Sequence, residues 1–275
     1  MTKIKLALCQ MNVIDDKKAN LEKASSMIAD GIGNNADFII LPEMFNCPYS
    51  NDKFIEYAEE EKDSYTLNKI SKLAEANNVY ILAGSIPERE DDKIFNTSYL
   101  FDKKGQIIAK HRKMHLFDID VKDKITFKES DVLTAGDEFT IADTEFGKIG
   151  IGICYDVRFV ELARIMVENG AMILIYPGAF NMTTGPAHWE LLFRSRALDN
   201  QVFCIGVAPA LNTDASYHSY GHSIVTNPWG EVISQADENE NLIICEIDLS
   251  EIKKIREEIP LLKNKRNDLY EVIRK

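Results

Sequence analysis

Cys154 is the residue in this chain best placed to act as a nucleophile. It closes the run Gly147-Lys148-Ile149-Gly150-Ile151-Gly152-Ile153, where isoleucine alternates with glycine or lysine at the two-residue period of a strand, and helix-like apolar spacing follows it. The thiol is therefore expected at a strand-to-helix turn, where the helix dipole and unpartnered N–H groups favour thiolate. Gly150 and Gly152 fall on one face of the strand and leave room for a close approach. A cysteine nucleophile also needs a base and an oxyanion stabiliser. Glu43 directly follows Phe38-Ile39-Ile40-Leu41-Pro42, a buried strand stopped by proline, where partial burial raises a carboxylate towards the range useful for proton transfer. From position alone, a glutamate capping the next element is the slightly stronger reading. Lys113 stands in the basic and aromatic run Lys110 to Phe117, and such a run taken alone is most simply a solvated face.

Other residues offer competing chemistry. His111 and His115 lie four apart and could grip a metal on a helix, but no third ligand lies near them in sequence, so no metal site is expected. His188 or His222 could act as base to Cys154 in a Cys–His pair. His188, in Pro186-Ala187-His188-Trp189, suits a helix start equally well, and His218 reads as part of a loop. Neither a phosphate-binding loop nor a dinucleotide fingerprint is present, so no nucleotide cofactor is expected.

The elements that must position these residues alternate between strand and helix. Ile4 to Gln10, Phe38 to Leu41 and Tyr80 to Gly84 read as strands, and Ala19 to Ala29 and Leu67 to Ala76 as helices. Thr97 to Phe101 and Gln106 to Lys110 flank Asp102-Lys103-Lys104-Gly105 as a hairpin. A second round has strands at Lys148 to Cys154, Met172 to Tyr176 and Gln201 to Val207, with helices at Val160 to Asn169 and Glu190 to Asp199. It ends in a hairpin, His222 to Thr226 with Glu231 to Gln235 around Asn227-Pro228-Trp229-Gly230, and a closing strand from Leu242 to Ile247. Two such rounds predict an α/β fold, an α-β-β-α sandwich of two mixed sheets with helices outside. No linker divides them, so one domain is expected over 1–249. A carboxy-terminal extension over 250–275 carries an amphipathic helix (Ile252, Ile255, Ile259) stopped by Pro260 and suited to packing, either onto its own domain or at a dimer interface.

Composition narrows the setting. The chain of 275 residues is 45% hydrophobic, enough for a substantial core, and carries 32 Lys and Arg against 44 Asp and Glu, a net charge of -12. That balance argues against nucleic-acid binding, and an anionic substrate would need a local cationic pocket. Five scattered cysteines without a C-x-x-C pair suggest neither a disulfide framework nor a thiolate metal site, and fit a cytoplasmic location. Cys9, Cys204 and Cys245 read as buried apolar residues, Cys47 as a neighbour of Glu43, and Trp189 and Trp229 as packing residues. The amino-terminal apolar run stops at Gln10 and reads as a strand rather than a signal, and no stretch approaches the roughly 20 apolar residues of a membrane span.

Three segments taken together, Leu41-Pro42-Glu43, His111-Arg112-Lys113 and Gly152-Ile153-Cys154-Tyr155-Asp156, resemble the Glu-Lys-Cys triad motifs of the nitrilase (carbon–nitrogen hydrolase) superfamily. The resemblance covers nearly the whole chain. It implies Glu43 as general base, Lys113 as transition-state stabiliser, Cys154 as nucleophile and Glu129 as the family's second glutamate. The stretches Lys113 to Asp120, Pro177 to Trp189 and Asp199 to Val202 are similar to the ω-amidase branch. This implies cofactor-free hydrolysis of the terminal amide of short dicarboxylate monoamides such as 2-oxoglutaramate and 2-oxosuccinamate. An amidase for a larger substrate, such as deaminated glutathione or an N-carbamoyl amino acid, is the alternative, with a non-catalytic scaffold third. On the amidase reading, Lys113 and the Tyr155 N–H hold the oxyanion. Donors to the distal carboxylate are expected among Tyr49, His115, Arg158, Thr183 and Thr184, around walls of Phe117, Tyr155 and Phe180. A structural ion pair with Asp156 or Glu161 is the first expectation for Arg158, and substrate contact the second. The family's habit implies a homodimer.

Overall fold

The computed structural model describes residues 3–273. The first half of the chain supplies strands β1 (Lys3–Gln10), β2 (Phe38–Ile40), β3 (Glu59–Glu60), β4 (Tyr80–Glu90), β5 (Lys93–Phe101) and β6 (Ile107–Arg112). A small hairpin follows, formed by β7 (Asp118–Val121) and β8 (Ile125–Lys128). The second half adds β9 (Thr140–Thr144), β10 (Gly147–Ile151), β11 (Ala171–Pro177), β12 (Phe203–Val207), β13 (Ile224–Thr226), β14 (Val232–Gln235) and β15 (Asn241–Asp248). The helices are α1 (Lys17–Gly33), α2 (Asn51–Tyr57), α3 (Tyr65–Asn77), α4 (Val160–Glu168), α5 (Gly185–Asn200) and α6 (Ser250–Glu258).

One sheet runs β15-β1-β2-β4-β5-β6, with β3 beside β4, and the other runs β14-β13-β12-β11-β10-β9. Both are mixed, parallel at their centres (β1 with β2, β2 with β4, β10 with β11, β11 with β12) and antiparallel outside. Strand alternation gives each sheet two apolar faces. Leu6, Leu8, Phe38, Ile40 and Leu82 meet Ile149, Ile151, Ile173, Ile175 and Ile205 between the sheets. The opposite faces bury Ala7, Ile39 and Ile81 against α1 and α3, and Leu174, Tyr176 and Cys204 against α4 and α5. The result is the expected α-β-β-α order.

The departures from expectation are local. The closing strand, β15, completes the first sheet rather than the second, pairing antiparallel with β1 from Lys3 opposite Asp248 to Gln10 opposite Asn241. Its periodicity states that it is a strand but not which edge it joins. Cys154 does not head an α-helix: β10 ends at Ile151, and Cys154–Arg158 forms a single 3₁₀ turn before α4. Ile252 and Ile255 of α6 are buried, whereas Ile259 lies beyond the helix end and is exposed. Trp189 is buried as expected, Trp229 is exposed, and Cys245 is half-buried where Cys9 and Cys204 are fully enclosed.

Candidate active site

Four segments that each follow the carboxyl end of a strand converge on one buried set of charges. Glu43 follows β2, Lys113 follows β6, Glu129 opens a 3₁₀ turn after β8, and Cys154 lies just past β10. Lys113 Nζ donates to Glu43 Oε1 at 3.0 Å and to Glu129 Oε1 at 2.9 Å, and all three side chains are fully enclosed. The remaining carboxylate valences are filled. Asn96 Nδ2 donates to Glu43 Oε1 at 2.8 Å and the Ala179 N–H to Glu43 Oε2 at 2.6 Å. The Phe117 N–H donates to Glu129 Oε2 at 2.6 Å and the Tyr49 hydroxyl to Glu129 Oε1 at 2.7 Å. A buried charge cluster survives when its members are paired and hydrogen-bonded in this way.

Backbone geometry delivers the thiol to this cluster. Cys154 has φ +48°, a left-handed conformation that costs a non-glycine residue roughly 1–3 kcal/mol and persists where its surroundings impose it. Asp156 imposes it. One carboxylate oxygen accepts from the Ile153 N–H at 2.9 Å and meets His111 Nε2 at 3.0 Å. The other accepts from the His115 N–H at 3.0 Å and meets His115 Nδ1 at 2.7 Å. His111 thus lies in strand β6, not on a helix, and both histidines are spent on Asp156 rather than standing one helical turn apart to grip a metal. Likewise His188 meets Arg158 at 3.2 Å and His222 Nδ1 meets the Tyr220 carbonyl at 2.7 Å. Glycines admit the close packing: a Cβ on Gly178 would stand 3.1 Å from Cys154 Cα, and one on Gly84 only 2.1 Å from the Leu41 and Pro42 carbonyl oxygens.

Electrostatics sets the proton positions. Burial raises Glu43 above the ordinary carboxylate range, with Lys113 pulling it down and Glu129 pushing it up. Burial alone would lower Lys113, but the carboxylates of Glu129 and Glu43 hold it well above its ordinary value, so it remains an ammonium. The Cys154 thiol is driven well up, first by burial and then by the Glu43 charge, with Lys113 opposing. This overturns the thiolate expected from a helix dipole. A lone 3₁₀ turn supplies little dipole, and burial together with two carboxylates outweighs one ammonium, so the resting thiol is S–H with the Glu43 carboxylate beside it. These titrations belong to the set rather than to any one residue.

The chain matches the carbon–nitrogen hydrolase family profile over residues 5–257. It belongs to that family. This carbon–nitrogen hydrolase is 48% identical over 272 residues to the omega-amidase NIT2 of Homo sapiens, across 99% of this chain and 98% of the relative. It is 47% identical to the nitrilase homolog 2 of Dictyostelium discoideum, across 98% of this chain and 82% of that one. Among solved structures, Nit3 of Saccharomyces cerevisiae superposes with a TM-score of 0.89 at 42% identity, covering 96% of this chain and 97% of the other.

The remaining expected site residues of the hydrolase divide. Phe117, Tyr155 and Phe180 gather near Cys154: Phe117 and Tyr155 pack edge to face at 5.3 Å, and the Arg158 guanidinium lies 4.8 Å from the Phe180 ring centre and 5.5 Å from that of Tyr155. Among the described residues no carboxylate pairs with Arg158, and its Nε is buried without a partner. The structural ion pair expected for it is not formed, because Asp156 is taken by the two histidines. Thr183 and Thr184 serve the start of α5, with their N–H groups and the Thr184 hydroxyl directed at Asn181 Oδ1. His115 stacks on Phe159 at 3.5 Å while holding Asp156. Sequence reasoning missed Asn96 and Tyr217. Asn96 sits mid-strand in β5 with no motif around it. Tyr217 lies in the loop after β12, donates to the Ala179 carbonyl at 2.5 Å and packs tilted against Tyr49 with ring centres 4.5 Å apart.

Proposed function

We propose that this hydrolase is an ω-amidase that releases ammonia from the terminal amide of a short dicarboxylate monoamide through a Cys154 thioester. The observation carrying the reading is that a buried Glu43–Lys113–Cys154 set has within its electrostatic reach a guanidinium, Arg158, that has no carboxylate partner among the described residues and lies over the Phe180 and Tyr155 rings. The full-length likeness to proteins named omega-amidase supports it. Glu43 accepts the thiol proton as sulfur attacks the amide carbon. The oxyanion gathers at the Lys113 ammonium and the Tyr155 N–H, which lies in the first turn of a 3₁₀ helix and has no intrahelical acceptor. Glu43 returns the proton to the departing nitrogen, then takes one from the water that cleaves the thioester. Glu129 and Tyr49 orient Lys113. Arg158 and the aromatic walls hold the distal carboxylate, which the net charge of -12 would otherwise repel.

Five free cysteines accord with a reducing, cytosolic setting, and no helix among the described residues is long and apolar enough to cross a membrane. A homodimer is the proposed assembly. Ammonia release measured side by side for 2-oxoglutaramate, succinamate, deaminated glutathione and an N-carbamoyl amino acid tests the substrate class. The small monoamides should be turned over with the highest kcat/KM. Preference for either larger compound would replace this reading with the alternative one.

A further inference from the structure

We propose that a second, narrow passage reaches Glu43 from behind, carrying water in and ammonia out while the acyl group occupies the Cys154 side; it rests on the thioester reading above. A small chamber of about 40 Å³ touches Glu43, Ala179, Ala210 and Ser219. It continues into a vestibule of about 440 Å³ that reaches Asn12, Asp15, Lys53 and Asp214 near the surface. The two spaces share the walls Val13, Tyr49, Asn212, Ala215 and Tyr217, so they are successive stretches of one path. Neither is lined by Phe117, Tyr155, Arg158 or Phe180. The Tyr49 and Tyr217 rings, 4.5 Å apart, wall the path, and the Tyr217 hydroxyl is tied to the Ala179 carbonyl.

Three physical arguments fit this path to water and ammonia. The first is size: a chamber of this volume holds about one to three waters and excludes a five-carbon acyl chain. The second is unmet hydrogen bonding. Ser219 Oγ lines the chamber and Asn12 Oδ1 lies along the vestibule, both buried and without a partner. Buried polar atoms are rarely left unpaired, and waters in the path satisfy these. The third is charge. Asp15, Asp52 and Asp214 surround the mouth with Lys53 as counter-charge, a setting that repels an anionic amide and admits neutral or cationic nitrogen.

The chemistry needs such a route. When the C–N bond breaks, ammonia forms beside Glu43 while the tethered acyl group fills the other side. A water from the chamber then gives a proton to Glu43, its oxygen bonds to the thioester carbon, and the C–S bond breaks. Sulfur leaves as thiolate and regains the proton from Glu43.

Ala215→Trp would plug the shared wall, with Ala215→Ser as the size control and Ser219→Val as a second plug from the inner end. First-turnover ammonia release from 2-oxoglutaramate, steady-state turnover and the acyl-enzyme fraction by intact mass separate the steps. With either plug, acylation should stay within about twofold of the parent, kcat should fall about tenfold or more, and acyl-enzyme should dominate the steady state. An unchanged kcat in both plugs would overturn the passage. So would slower acylation with a raised KM, which would make the path the substrate's own entrance. A parent enzyme that forms no acyl adduct would instead remove the thioester itself, a failure distinct from either.

Discussion

The two carboxylates flanking Lys113 differ in what lies beyond them. Glu43 adjoins the thiol, whereas Glu129 is backed by the Tyr49 hydroxyl and the Phe117 N–H. Glu129 is therefore expected to act on the proposed reaction through charge and position. Its negative charge helps raise Glu43, so Glu129→Gln should lower the Glu43 pKa and move the acid limb of kcat/KM to lower pH. The same change should cost roughly 10²-fold in kcat by loosening Lys113. A pH–rate profile whose acid limb stays in place or moves upward would contradict this coupling. Lys113→Met should be worse for folding, since it leaves two buried carboxylates without their cation; a loss of roughly 3–5 kcal/mol is expected in denaturant unfolding. Because protonating those carboxylates relieves their repulsion, the deficit should shrink as pH falls through the raised Glu43 pKa.

At the scale of elements, strand ends and the turns that leave them place the site. A Cβ on Gly84 of β4 would collide with the carbonyl oxygens of Leu41 and Pro42, the residues that aim Glu43. Gly84→Ala should thus lower kcat roughly 10²-fold through a displacement of about an ångström. Gly33→Ala, with open space around it, should leave kcat unchanged, and equal effects in steady-state assays would refute the aiming role. Most strands and helices were legible because their periodicity is local, and Glu43 and Lys113 drew attention because each follows a strand. Less legible were features decided by partners far along the chain. The register of β15 against β1, the Asp156 carboxylate shared by His111 and His115, and Asn96 reaching across to Glu43 leave no local pattern. The thiol's protonation was misread for the same reason: its neighbours in space, not its place before a helix, set its pKa.

At the scale of the whole molecule, the exposed large apolar residues include Val160 at the start of α4, Leu191 and Leu198 on α5, and Leu261, Tyr270 and Ile273 of the final segment. A groove between α4 and that segment is lined by Val160, Arg164, Leu261 and Tyr270. An apolar surface of this kind favours association with a second copy. Sedimentation should give about twice the chain mass of 31.2 kDa, and Leu191→Glu with Leu198→Glu should yield monomer; a monomeric parent would rule out the dimer. Every step of the proposed reaction requires Cys154 to carry the acyl group. Acid-quenching the enzyme during turnover of 2-oxoglutaramate, followed by peptide mass mapping, reads this directly. The predicted result is a 2-oxoglutaryl adduct on the peptide containing Cys154, absent in Cys154→Ala, which should release no ammonia. Ammonia release by Cys154→Ala, or an adduct on another residue, would contradict the mechanism.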